Sequence, residues 1–96
     1  MSLLEKIRSK RDEIEEIAKK YGATHVRVFG SLAKGEATLE SDIDFLIQLE
    51  MGRTLFDIIA LKQDLEDLLG RQVDVVTERS LSPYLRDEIM KNAINI

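Results

Sequence analysis

An α/β (α+β) fold, a small mixed three-stranded sheet flanked by about four helices, is what this sequence predicts. Three observations predict it: apolar residues recur at helical spacing in some stretches, they alternate at period two in others, and the two patterns interleave along the chain. At 96 residues the chain fits one domain, 1–96, burying roughly 60–70% of its unfolded surface.

The first helix is expected from Ser2 to Tyr21, on Leu3, Leu4, Ile7, Ile14, Ile17 and Ala18, with Gly22 ending it in a left-handed turn. His25 to Phe29 alternates, Val26 inward and Arg27 outward, as a strand running into Gly30. A helical turn is expected at Leu32 to Lys34. The second strand runs from Asp42 to Leu49, with Ile43, Phe45, Ile47 and Leu49 on one face. Thr54 and Asp57 form a capping box for a leucine-rich helix that Gly70 stops. Gln72 to Val76 makes the third strand, Val73 and Val75 facing one way and Asp74 the other. Ser82 and Pro83 open a last helix that carries Leu85, Ile89, Met90, Ala93 and Ile94.

Composition narrows the function classes. Hydrophobic residues at 44% and charged residues at 33% describe a soluble globular chain, and no window approaches a membrane span. The charged first residues do not suit a signal peptide, and cysteine is absent, so a cytoplasmic protein without disulfides or thiolate metal sites is expected. A net charge of −4 gives no basic footprint for direct nucleic-acid binding.

The strand, helix and strand from Asp42 to Val76 form a right-handed crossover, so these two strands run parallel and Asp42, Asp44 and Asp74 lie toward one end of the sheet. Asp42 and Asp44, two apart on a strand, share a face at about 7 Å. Their mutual repulsion is explained if they hold a hard cation such as magnesium, with Asp74 completing the cluster and serving as the candidate general base. Gly30 and Ser31 follow a strand and precede a turn, where free amides can face a phosphate, and Lys34 is a further candidate contact. An EF-hand is excluded because Leu46 occupies the third ligand position.

Gly30-Ser31, ten intervening residues and Asp42-x-Asp44 resemble the signature of the DNA-polymerase-β-like nucleotidyltransferases, with Asp74 matching the third carboxylate. The text from Gly30 to Glu36 and from Ser41 to Asp44 is similar to the minimal nucleotidyltransferases, which commonly carry arginine in place of Lys34. This resemblance implies the minimal nucleotidyltransferase fold, ATP or another nucleoside triphosphate as donor, and two magnesium ions on Asp42, Asp44 and Asp74. It further implies a protein partner, a HEPN-type ribonuclease toxin to which the chain is antitoxin, modified by transfer of AMP to a hydroxyl. Two other functions compatible with the sequence are masking of such a toxin without catalysis and nucleotidylation of a small molecule; homo- or hetero-oligomers suit either.

Other conspicuous residues have simpler readings. His25 is expected as a surface or partly buried strand residue, and Arg53, Arg71 and Arg79 as solvated by default, with phosphate or a partner as the other roles open to them. The stretch from Leu55 to Leu69 is chiefly core, with an exposed stripe left that could meet a partner helix.

Overall fold

The computed structural model describes residues 2–38 and 40–96. In order come α1 (Leu3–Ser9), α2 (Arg11–Lys20), β1 (Ala23–Phe29), β2 (Ile43–Leu49), α3 (Leu55–Leu69), β3 (Val73–Thr77), a 3-10 turn at Glu78–Ser80, α4 (Pro83–Asn92) and β4 (Ile94–Asn95). The sheet order is β3-β2-β1-β4. β2 and β3 are parallel, joined by the expected α3 crossover, and β1 is antiparallel to both β2 and β4.

Ile7 of α1, Ile14 of α2 and Leu61 and Leu65 of α3 pack against Val28, Ile43, Phe45 and Val73 of the sheet, all fully or nearly fully buried. Ile43, Phe45 and Ile47 share this face, as their alternation predicts, while Leu46 is buried on the other. The Thr54 N–H donates to the Asp57 carboxylate at 2.9 Å, and Gly70 ends α3 at φ +68°. Among the described residues no helix is long and apolar enough to cross a membrane.

Three local departures have physical causes. The expected single helix from Ser2 to Tyr21 breaks at Lys10: the Ser9 hydroxyl donates to the Lys6 carbonyl at 2.6 Å, and the Lys10 N–H turns to Ile7 instead. A side chain has taken the carbonyl that a continuing helix needs. No apolar residue between Arg8 and Glu13 is available to hold the helix straight through packing.

The second departure is a fourth strand. Ala93 and Ile94 were expected in the last helix, yet Ala93 is extended at φ −63° and ψ 140°, and Ile94 and Asn95 pair with Val28 and Arg27. Ile94 and Ile96 turn inward around an exposed Asn95, a period-two pattern too short to stand out from the helix before it. The Arg8 guanidinium fastens this strand to α1 by donating to the Asn95 carbonyl at 3.1 Å.

The third is a bulge in β1. Pairing with β2 shifts between Thr24 and Arg27, and His25 sits there at φ +53°. The extra residue lets both Ala23 and Val26 face the core although they are an odd number of positions apart.

Left-handed backbone is costly for a branched side chain. His25→Val is therefore expected to lower stability by roughly 1–2 kcal/mol, whereas Thr24→Val next to it, also exposed, changes it by less than about 0.5 kcal/mol. Urea unfolding of both variants checks the difference.

Candidate active site

Asp44 is the second residue of β2, and its neighbours across the sheet are Phe29 on one side and Asp74 on the other. Residues paired in register project to the same face, so Asp44 and Asp74 stand side by side above adjacent parallel strands. Asp42 lies one residue before β2 and is exposed. Its segment is stitched to the approach to β3: the Ile43 N–H donates to the Gln72 carbonyl at 3.1 Å, and the Arg71 guanidinium to the Ser41 carbonyl at 2.9 Å. Arg71, expected as a solvated cation or a contact to phosphate or partner, instead fixes the backbone next to Asp42. Nothing in the local sequence marks it, because the contact spans 30 residues.

The electrostatics register the crowding. Burial raises the Asp44 carboxyl above the usual carboxylate range, and the charges of Asp74 and then Asp42 raise it further. No lysine or arginine among the described residues forms an ion pair with any of the three. The described side chains nevertheless do not close on one point as a ready metal cage. Asp44 and Asp74 are paired in register, and Asp42 flanks them at the strand entrance.

Gly30 turns the chain out of β1 at φ +70°, and a Cβ there would collide with the Asp44 carboxylate. Only glycine meets both demands. The chain then makes one helical turn, in which the Lys34 N–H donates to the Gly30 carbonyl at 3.1 Å and the Glu36 N–H to the Ser31 carbonyl at 2.9 Å. Leu32, buried in the core, anchors it. The N–H groups of Ser31, Leu32 and Ala33 find no acceptor among the described residues, as at the start of any helix, which suits an anion. Lys34 is exposed, and among the described residues no ion pair ties its ammonium to the aspartates.

An amide-lined turn touching paired strand carboxylates is the arrangement of a nucleotide-transferring enzyme, and the chain belongs to the nucleotidyltransferase domain family, whose model matches residues 7–96. Within it, a candidate protein adenylyltransferase of Methanocaldococcus jannaschii is 40% identical over 77 residues, covering 80% of this chain and 83% of that protein. The protein adenylyltransferase MntA of Thermococcus cleftensis is 33% identical over 82 residues, 85% of this chain and 83% of its own. A solved structure described as a candidate minimal nucleotidyltransferase superposes with a TM-score of 0.88 at 47% identity, over 100% of this chain and 97% of the other. A toxin-antitoxin structure with AMP-PNP shares the fold, with a TM-score of 0.73 at 24% identity over 86% and 68% of the two chains.

Two outcomes follow from the crowding around Asp44. Gly30→Ala is expected to cost at least about 2 kcal/mol in thermal unfolding, and adding Asp44→Ala restores the share due to the collision. Because the fold raises the Asp44 carboxyl, ionised Asp44 weakens the metal-free protein at neutral pH, and the penalty fades as pH falls through the raised value toward the ordinary one. Asp44→Asn should accordingly raise the melting temperature by about 2 °C at pH 7 without divalent cation. Melting curves that stay equally far apart below the ordinary carboxylate range contradict this.

Proposed function

We propose that this chain transfers AMP from ATP to a hydroxyl of a protein partner, acting as the antitoxin to a HEPN-type toxin. The observation that carries the reading is the register pairing of Asp44 with Asp74 beside the Gly30-Ser31 turn. Similarity to proteins named as adenylyltransferases supports the donor and the protein acceptor. Structures described as toxin-antitoxin pairs suggest the partner class.

The carboxylates suit a divalent cation: Asp44 is half-buried, Asp74 and Asp42 stand close enough to disfavour its ionised form, and none of the three has an ion-pair partner among the described residues. Asp42, Asp44 and Asp74 would hold magnesium, two ions in the fuller form of the proposal. The metal, when bound, offsets charge on the triphosphate and on the departing pyrophosphate. The amides of Ser31, Leu32 and Ala33 grip a phosphate, with the Ser31 hydroxyl and Lys34 as additional donors. The acceptor oxygen attacks the α-phosphorus, a new O–P bond forms, the bond to the β-phosphate oxygen breaks, and pyrophosphate leaves. Asp74, exposed at the edge of the pair, accepts the hydroxyl proton.

The test combines the purified chain, the product of the gene next to its own, magnesium and ATP labelled at the α-phosphate. Label is expected on the partner, falling on the order of 10³-fold with Asp42→Asn or Asp44→Asn. A partner that stays unlabelled while both variants still silence it would replace this mechanism with simple masking.

A further inference from the structure

Among the described residues, the large apolar side chains that stand out in solvent are Met51, Leu55, Phe56, Ile59, Tyr84 and Leu85. They come from two stretches only, the loop after β2 with the first turns of α3, and the first turn of α4. Met51, Phe56 and Tyr84 are 87%, 82% and 94% exposed. Between the two helix starts lies a cavity of about 660 Å³, walled by Met51, Leu55 and Ile58 on one side and by Arg79 and Arg86 on the other. None of the three aspartates lines it. Gln48, on its rim, is four residues along β2 from Asp44, about 13 Å away.

The charge at this end is as distinctive as its apolarity. Arg53 on the rim is neutralised by Glu50 at 2.8 Å and Asp57 at 3.5 Å. Arg79 and Arg86 form no ion pair among the described residues, so two cations without a salt bridge border a cavity of mixed lining, to which Leu49, Met51, Leu55 and Ile58 bring its apolar surface, in a chain of net charge −4.

We infer that this end is a protein-docking surface, separate from the aspartates, that takes an amphipathic helix whose aliphatic side chains enter the groove and whose flanking Asp and Glu meet Arg79 and Arg86. Charge selects this occupant. A two-fold contact with a second copy through the same patch brings four arginines, Arg79 and Arg86 of each copy, into one interface, which opposes association. A small ligand fills the cavity but leaves Phe56 and Ile59, on the outer side of α3, uncovered. Apolar side chains at this density do not suit a nucleic-acid backbone. Occupation of this end leaves the carboxylates open, so the inference stands or falls apart from nucleotidyl transfer.

The test is a heteronuclear NMR titration of the full chain with two synthetic helical peptides of identical leucine spacing, one flanked by glutamate and the other by lysine. The glutamate peptide is expected to shift the amides of residues 51–59 and 82–86, binding at least tenfold more tightly than the lysine peptide. Arg79→Glu with Arg86→Glu should weaken it at least tenfold, and Arg11→Glu on α2 should leave it unchanged. The altered side chains are exposed, so folding is retained, and Phe56→Ser gives a second route to the same loss. Equal affinity for the two peptides, or shifts centred elsewhere, overturns the inference. So does sedimentation showing a dimer that Phe56→Ser dissolves, which assigns the face to a second copy.

Discussion

The register of the central strand governs what this molecule can do. Asp44 stands between Phe29 of an antiparallel neighbour and Asp74 of a parallel one, and the next residue after Phe29 is the glycine whose missing side chain makes room for the Asp44 carboxylate. Slipping either neighbour by one residue would turn Asp74 to the opposite face or bring a side chain into that space. The burial of Val28 in one neighbour and of Val73 in the other against the helix-covered core forbids the slip, because it would turn them outward. Hydrophobic packing on one face therefore sets the electrostatics on the other.

Those electrostatics run against stability. A half-buried carboxylate facing two others, without an arginine or lysine partner among the described residues, is an arrangement that folding alone does not favour. Glu78, a buried acid outside the group, differs: it lies beside the Arg27 guanidinium at 3.5 Å and accepts from Gln48 at 2.9 Å. The contrast sets the aspartate group apart from the structural acids of the same sheet.

Much of this was legible in the sequence because it rests on short-range pattern. Period-two alternation located β1, β2 and β3 to within two residues, Gly22 adopts the left-handed backbone expected at its helix end, and Gly70 stops α3 as expected. The spacing from Gly30-Ser31 to Asp42 and Asp44 carried the family resemblance, which the match over residues 7–96 bears out. What escaped depends on partners far away or on one hydrogen bond: the two-residue β4 exists only through Val28 and Arg27, the break at Lys10 turns on one hydroxyl of Ser9, and the Arg71 contact links remote loops. The bulge at His25 left no trace because no glycine or asparagine marks its positive φ.

The crossover through α3 has a consequence for the order in which the molecule can assemble. Gly30, Ser31, Asp42 and Asp44 lie within one 15-residue span closed by the β1-β2 hairpin, whereas joining Asp74 to Asp44 closes a span twice as long. Each doubling of a loop adds about 0.6 kcal/mol of closure entropy, and α3 must dock before the strand can follow it. The loop-closure cost of bringing Asp74 beside Asp44 thus exceeds that of bringing Gly30 and Ser31 beside it, so the turn and the first two acids are gathered by the less costly closure and the third acid by the more costly one.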